Sequence, residues 1–546
     1  MTRDAVRLHV ERAMVLLAIA LGGALVAATA AGLGVAREQR WLDAGYVRLA
    51  TDWILARFDR SIALPAAGVL VFLVLALVLR VRMRPGPRLM RIAAVVLLLV
   101  VGLRVAGVLD AWRVRTGPNV LLISIDTLRS DHLGTYGSRR ETSPTIDRRL
   151  AAEGVTFEDV YSQSPKTTPS HMTMLTSLYP CVHGIELWDG DTPGRALRPR
   201  VHTLAEVLKN AGYATAAFTG GAHMHRSRGF DQGFDVYKHS DQLNRTREWI
   251  AGHRRQKWFV FFHTYQVHDP YLPPADLIAR FAPDYRGPVL EAVERVRTDR
   301  RGWDHAHQAF WASVDIHDAS TVDFVERLYD AGIRHMDETT IAPLLDQLDR
   351  LDLARDTLIV FTSDHGEAFA EHGRFLHDDL YAGTLRVPLI VRFPGRLPAG
   401  TRVAHRARVL DVMPTVLALL GVPAPVEVQG ESLVPFVAAA RDGAQPATVS
   451  EYSNRTIART FESLRRGPLA YIVDGPDELL FDVAEDGGEH QNIAPTRPAE
   501  VGAMRAELAH WRESCQTASA RLGAEGETVA PDAETQRRLR ALGYIR

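Results

Sequence analysis

Three apolar runs crowd the first fifth of this 546-residue chain and restrict what it can fold into before any motif does. Ala13 to Ala36 and Ser61 to Leu79 carry no charge, and Ile92 to Leu109 is broken only by Arg104. A helix of about 20 apolar residues crosses a bilayer, and an arginine near the end of a span can snorkel to the interface. Residues 1–109 therefore read as a membrane anchor with helices at about 13–36, 61–79 and 92–109. Arg80 to Arg91 holds five arginines and is expected on the cytoplasmic side, together with Arg3, Arg7 and Arg12. The amphipathic stretch 37–60 and everything beyond residue 110 then fall on the outer side of an inner (cytoplasmic) membrane. A cleaved leader over residues 1–31 is the competing reading, and it exports the bulk of the chain as well.

Over the whole chain the composition is that of an ordinary globular protein. Net charge is −1 and the pI about 7.1, so there is no electrostatic case for a nucleic-acid partner. Two cysteines, Cys181 and Cys515, form one bridge at most and no thiolate metal site. Apolar runs at Val120–Asp126, Ala214–Thr219, Trp258–His263, Leu358–Ser363 and Leu389–Phe393 read as strands. Helical patterns at Thr145–Gly154, Thr203–Ala211 and Val325–Leu351 lie between them. That alternation predicts an α/β fold with a mostly parallel sheet covered on both faces. Ligands of such sheets bind at the carboxyl ends of the strands, where Asp126 and Asp364-His365 stand.

Carboxylates and an imidazole at strand ends suit a divalent cation, although a single Asp there is more often a helix cap. Lys166-Thr-Thr-Pro-Ser-His171 precedes apolar positions at helical spacing, and the proline favours a helix start. The amides of that start would attract a tetrahedral anion, and a threonine hydroxyl beside a metal could act as nucleophile. His223, His268, His365 and His377 gain weight only together, and spacing alone does not show that they meet.

The stretches PNVLLISIDTLRSDHLGTYG (118–137), TTPSHMTMLTSLYPCVHG (167–184), HDPY (268–271), SDHGE (363–367) and LRVPLIVRFPG (385–395) resemble the sulfatase family of the alkaline phosphatase superfamily. GFDQGFD (229–235), LDVMPTVLALLGVP (410–423), QGESL (429–433), LLFDVAEDGGEHQNIA (479–494) and RALGY (540–544) continue it in order. The resemblance implies a catalytic domain at 117–424, a smaller α+β subdomain at 425–516, and a linker with a terminal helix at 517–546. It places one divalent ion on Asp126, Asp364, His365 and the Thr167 oxygen. Zinc or manganese suits that set better than calcium. Thr167 takes the position at which sulfatases carry Cys or Ser, His268 matches a substrate-contacting histidine, and His377 stands where many sulfatases carry lysine. Gly220 to His223 keeps the family's histidine and loses its lysine, and Thr127 replaces a second metal-binding Asp. His171 and Lys166, which flank the nucleophile, are expected to bind substrate.

Oxidation of a threonine would give a ketone rather than the formylglycine aldehyde of mature sulfatases. Together with the anchor, this makes the chain resemble the membrane-bound relatives that transfer phosphoglycerol or phosphoethanolamine. The expectation is therefore a hydrolase or transferase of phosphate esters with catalytic Thr167, His268, His377 and His223. Its partner would be a lipid or an envelope glycan. A sulfuric ester hydrolase is the alternative, and a silent membrane scaffold a further one.

Overall fold

The computed structural model describes residues 117–186, 193–239, 242–298, 303–438, 445–454, 459–523 and 525–541. Its centre is an eight-stranded sheet. In chain order the strands are β1 (Asn119–Ile125), β2 (Val155–Phe157), β3 (Ala214–Phe218), β4 (Val236–Lys238), β5 (Trp258–Thr264), β6 (Thr357–Ser363), β7 (Leu389–Arg392) and β8 (Thr401–Val403). Their spatial order is β8-β2-β7-β6-β1-β5-β3-β4. All contacts are parallel except the two made by β7. Every residue of β1, β5 and β6 is buried, because helices cover both faces of a parallel sheet. One core cluster lies on each face, with Leu122 and Phe261 in one and Ile123 and Phe262 in the other.

Six helices bear on the site: α1 (Thr167–Thr176), α2 (Pro288–Thr298), α3 (Trp303–Trp311), α4 (Ala319–Met336), α5 (Pro498–Arg521) and α6 (Ala533–Ala541). The helix expected at 325–351 is α4 followed by a π-type turn, Asp337–Ile341, and a second helix, Ala342–Arg350. A four-stranded antiparallel meander, Thr448–Asn454, Arg459–Arg466, Leu469–Asp474 and Asp477–Asp482, follows the main sheet. Its Phe461, Ile472 and Phe481 pack on Leu380 and Leu385, so it rests directly behind the segment that carries His377.

The expected multi-pass placement in the inner membrane needs correction. Among the described residues no helix is long and apolar enough to cross a membrane. The longest of them, α5, carries Glu500, Arg505, Glu507, Arg512 and Glu513 along its length, charges that a hydrocarbon core does not accept. The three expected spans at 13–36, 61–79 and 92–109 lie outside the described residues.

Candidate metal centre

Strand register builds the centre. Ile125 of β1 pairs with Ser363 of β6 and with Thr264 of β5, so Asp126 and Asp364 leave the sheet at one level. The chain reaches β5 on one side of β1 before it reaches β6 on the other, the kind of switch point at which α/β sheets open a crevice. Asp126, Asp364 and His365, all fully buried, bring ligand atoms within 4.8 Å of one another. Asp126 Oδ1, Asp364 Oδ2 and His365 Nε2 have no hydrogen-bond partner. Buried acceptors left in this state are costly, and a divalent cation satisfies all three.

The surroundings pre-orient that set. His365 Nδ1–H donates to the Gly366 carbonyl (2.9 Å), which leaves Nε2 as the lone-pair nitrogen. His263 Nδ1 accepts from Gly220 N–H (3.2 Å), so its Nε2–H donates to Asp126 Oδ2 (3.1 Å). Thr127 N–H donates to Asp364 Oδ1 (3.2 Å) from a backbone with φ of 60°, an uncommon state for a β-branched residue. Burial first, then Asp126, push the Asp364 carboxyl up to about 8, and burial pushes Asp126 up to about 6. His132, Glu326 and Asp330 also cluster, but Arg140 Nη1 lies 3.1 Å from Glu326 and 2.5 Å from Asp330, so that group is already neutralised.

Thr167 opens α1 and is buried. Its Oγ1 makes no hydrogen bond of ordinary geometry, yet it lies close enough to Asp126 to stabilise that carboxylate. The helix is stapled below it: Ser170 Oγ donates to the Asp364 carbonyl (2.7 Å), and Thr168 Oγ1 donates to the His223 carbonyl (3.0 Å). His171 is fully enclosed; its Nδ1–H donates to the Thr167 carbonyl (2.8 Å), and its Nε2 accepts from Ser124 (2.9 Å). Lys166 Nζ sits 2.5 Å from Asp378 Oδ1 and 4.7 Å from the centre of the Tyr452 ring.

Three further histidines gather around this centre. The His377 ring lies 4.5 Å from that of His365 and 5.7 Å from that of His268. Burial first, then the charge of Lys166, hold His377 well below the usual imidazole range. His223, fully buried on the turn Ala222–Met224, is held down by burial and then by Arg228. His268 goes the other way. Burial opposes its charge, but Asp269, Asp126 and Glu367 together outweigh that and push it up to about 10. His268 is thus the one of these histidines whose surroundings favour its charged form.

Sequence reasoning passed over His263, Asp269, His307 and Trp311. His263 follows five apolar residues in β5, and only its register opposite Ser124 shows that it lies beneath Asp126. Asp269 accepts from His307 Nε2–H (2.6 Å) and Trp311 Nε1–H (2.9 Å), a contact that bridges about 40 residues of sequence.

The family model described as Sulfatase matches residues 118–422, more than half of the chain. This chain belongs to the sulfatase family. A second model, N-sulphoglucosamine sulphohydrolase, C-terminal, matches residues 370–510. Arylsulfatase K of Mus musculus is 26% identical over 439 residues, 71% of this chain and 78% of the relative. N-acetylgalactosamine-6-sulfatase of Canis lupus familiaris is 28% identical over 353 residues, 58% of this chain and 65% of the relative. Among solved structures, BT4656 in complex with its substrate D-glucosamine-2-N,6-O-disulfate has the same fold. It aligns with a TM-score of 0.60 at 20% identity, over 74% of this chain and 99% of that one.

The chain is an ester hydrolase of the sulfatase and alkaline phosphatase superfamily, with clustered Asp and His residues suited to a divalent ion. These matches correct the expectation of a membrane-bound phosphate ester hydrolase or transferase working through threonine, since both matching models and these relatives are sulfatases. A threonine at the nucleophile position does not by itself set the substrate class, since the ligand cluster Asp126, Asp364 and His365 stands in a chain that matches the sulfatase model.

Proposed function

We propose that this chain is a metal-dependent sulfuric ester hydrolase acting on sulfated sugars. The observation that carries the reading is the convergence of Asp126, Asp364 and His365, with unpartnered buried acceptors, beside the first turn of α1 in a sulfatase chain. The names of the relatives, N-acetylgalactosamine-6-sulfatase among them, and the disulfated glucosamine substrate of BT4656 support a sulfated glycan as substrate.

Asp126, Asp364 and His365 would hold one divalent ion, zinc or manganese before calcium, because imidazole mixes poorly with an all-oxygen calcium shell. When bound, the ion supplies Lewis-acid polarisation of a nonbridging sulfuryl oxygen. The free amides at the head of α1 face the same anion. Thr167 takes the reacting position with its hydroxyl as it stands, because oxidation there would yield a ketone. His268, cationic and buried, faces the leaving oxygen and gives it a proton, while His377 and His223 contribute neutral imidazole N–H groups to the anion. His171 and Lys166 support the site from behind: the first fixes the Thr167 carbonyl, the second secures the Asp378 turn next to His377.

The test is sulfate release by the full-length chain loaded in turn with Zn²⁺, Mn²⁺ and Ca²⁺. Substrates are sulfated glucosamines and galactosamines beside p-nitrophenyl sulfate and phosphate esters. Sulfate esters should turn over fastest, and Thr167→Ala should lose at least about 10²-fold in kcat while Thr167→Ser retains part of it. Faster cleavage of the phosphate esters refutes the reading.

A further inference from the structure

The carboxylate beside His268 is held by an element that the sheet itself does not require. Asp269 is buried, and its partners are side chains from elsewhere in the chain as well as its neighbour. Oδ1 lies 3.0 Å from His268 Nδ1, which also donates to the Asp269 carbonyl oxygen at 2.9 Å. Oδ2 accepts from His307 Nε2–H at 2.6 Å and from Trp311 Nε1–H at 2.9 Å. His307 and Trp311 are four residues apart on α3, so both donors leave the same face one turn apart. A buried carboxylate is tolerated where it is fully paired, and these donors complete the pairing of Asp269.

The same helix reaches the second histidine. The Trp311 ring lies 5.3 Å from that of Phe375, two residues before His377, and 6.4 Å from that of Tyr271. α3 also packs against α6, which packs on the turn Ala222–Met224 that carries His223. Leu539 of α6 and Ala222 are buried against each other there. One helix thus touches the supports of two site histidines and shares its neighbour with the third.

We propose that α3 is the positioning element of the active site: His307 and Trp311 fix Asp269, and Asp269 fixes His268 with Nδ1 as donor so that Nε2 addresses the leaving-group oxygen. This rests on the hydrolase reading above. Asp269, His307 and Trp311 are positioning residues that act through His268 and touch no reacting atom. In the step they serve, Thr167 Oγ1 forms its bond to sulfur as the S–O bond to the sugar oxygen breaks. The electron pair of the broken bond stays on the sugar oxygen, which takes the proton from His268 Nε2. The Thr167 hydroxyl proton passes to solvent, and water then displaces Oγ1 from sulfur to release hydrogen sulfate. An aryl oxygen with an acidic conjugate phenol leaves without that proton. A sugar hydroxyl does not.

That difference is the test. In the metal-loaded full-length chain, Asp269→Asn, Trp311→Phe, His307→Ala and His307→Gln are compared on p-nitrophenyl sulfate and on glucosamine 6-sulfate. Asp269→Asn should lower kcat on the sugar sulfate by about 10²-fold or more, the scale of general acid catalysis, with little change in KM. On the aryl sulfate it should lose less than about 10-fold, because that leaving group needs no acid. Trp311→Phe, which keeps the ring and removes the donor, and His307→Ala should show the same selectivity to a smaller degree. His307→Gln, which restores a donor, should recover it. Equal losses on both substrates, or none, overturn the proposal and leave Asp269 a purely structural knot. A readout without turnover separates this from failure of the hydrolase reading. The low-field imidazole N–H resonance of the His268–Asp269 pair should vanish in His268→Gln and move upfield in Asp269→Asn and in Trp311→Phe. A wild type inactive on every sulfate ester that still shows these shifts refutes the substrate class and supports the positioning chain. An unchanged resonance refutes the positioning chain.

Discussion

Asp126 and Asp364 face one point with no hydrogen-bond donor on Oδ1 of the first or Oδ2 of the second, a costly arrangement for two buried carboxylates. Burial raises both, to about 6 and about 8, and for Asp364 the neighbouring Asp126 adds to it. Because both folded-state values are raised, the contribution of these two groups to the metal-free fold is fully present below the ordinary value of 3.8 and is lost as the pH rises through about 6 and about 8. A divalent ion needs both groups as carboxylates, so loading expels protons and affinity should climb between about pH 6 and pH 8. Calorimetric titration of the stripped chain with Zn²⁺ in buffers of different protonation enthalpy measures this directly. Release of about one to two protons per ion is expected at the low end of the range, and fewer above it. Affinity independent of pH would mean that these two carboxylates are not the ligands. The same residues show what sequence can reveal. Asp126 and Asp364-His365 were legible because each ends an apolar strand and chemistry of α/β sheets gathers there. His307 and Trp311 were not, because a histidine and a tryptophan four apart on a helix read as an ordinary face until Asp269 is seen opposite them.

At the scale of elements, the legible parts were those whose apolar pattern is continuous. β1, β3, β5, β6 and β7 lie within a residue or so of the runs that predicted them, since burial on both faces writes itself into the sequence. The short strands β2 and β8, three residues each at one side of the sheet, leave no such pattern, and their pairing is set by tertiary contact. The turn after β6 is a case where a motif glycine has a measurable reason. A Cβ on Gly366 would fall 2.1 Å from the Gly383 carbonyl oxygen and 3.1 Å from Arg129 Cγ. Gly366 N–H and Glu367 N–H donate to the Thr384 and Gly383 carbonyls (2.8 and 3.1 Å), so the two backbones are bonded at that spacing and neither can withdraw. Gly366→Ala should therefore cost about 1–3 kcal/mol, as overpacking does. It should also swing the His365 carbonyl and ring away from Asp364. Denaturant unfolding together with metal content checks it: a stable variant with full metal occupancy would show that the close approach is not required.

Across the whole molecule, one covalent link joins the segment after α1 to helix α5. Cys181, in the short helix Pro180–His183 just beyond α1, is bridged to Cys515 of α5 across 334 residues of sequence. The sequence allowed one bridge at most and did not show that it forms, because the two positions approach only once α5 lies over the segment that follows α1. The Tyr179 and Trp511 rings meet edge to face at 5.4 Å beside it, and Glu451 accepts from Cys181 N–H at 2.6 Å, so the bridge sits in an interface that is already packed. A link that closes so long a loop acts mainly by restricting the unfolded chain. Its removal should leave the native site geometry intact while shifting the unfolding equilibrium. Cys515→Ser, or Cys181→Ser with Cys515→Ser, should lower stability by about 2–5 kcal/mol. Metal affinity and kcat below the new unfolding transition should remain close to wild type, since neither cysteine belongs to the ligand cluster Asp126, Asp364 and His365. Paired unfolding curves and metal titrations on the oxidised, reduced and double-serine chains separate the two effects. A reduced chain that keeps its stability would mean that packing of α5 alone holds the C-terminal part. A loss of metal affinity at full stability would mean that the bridge sets the geometry of α1.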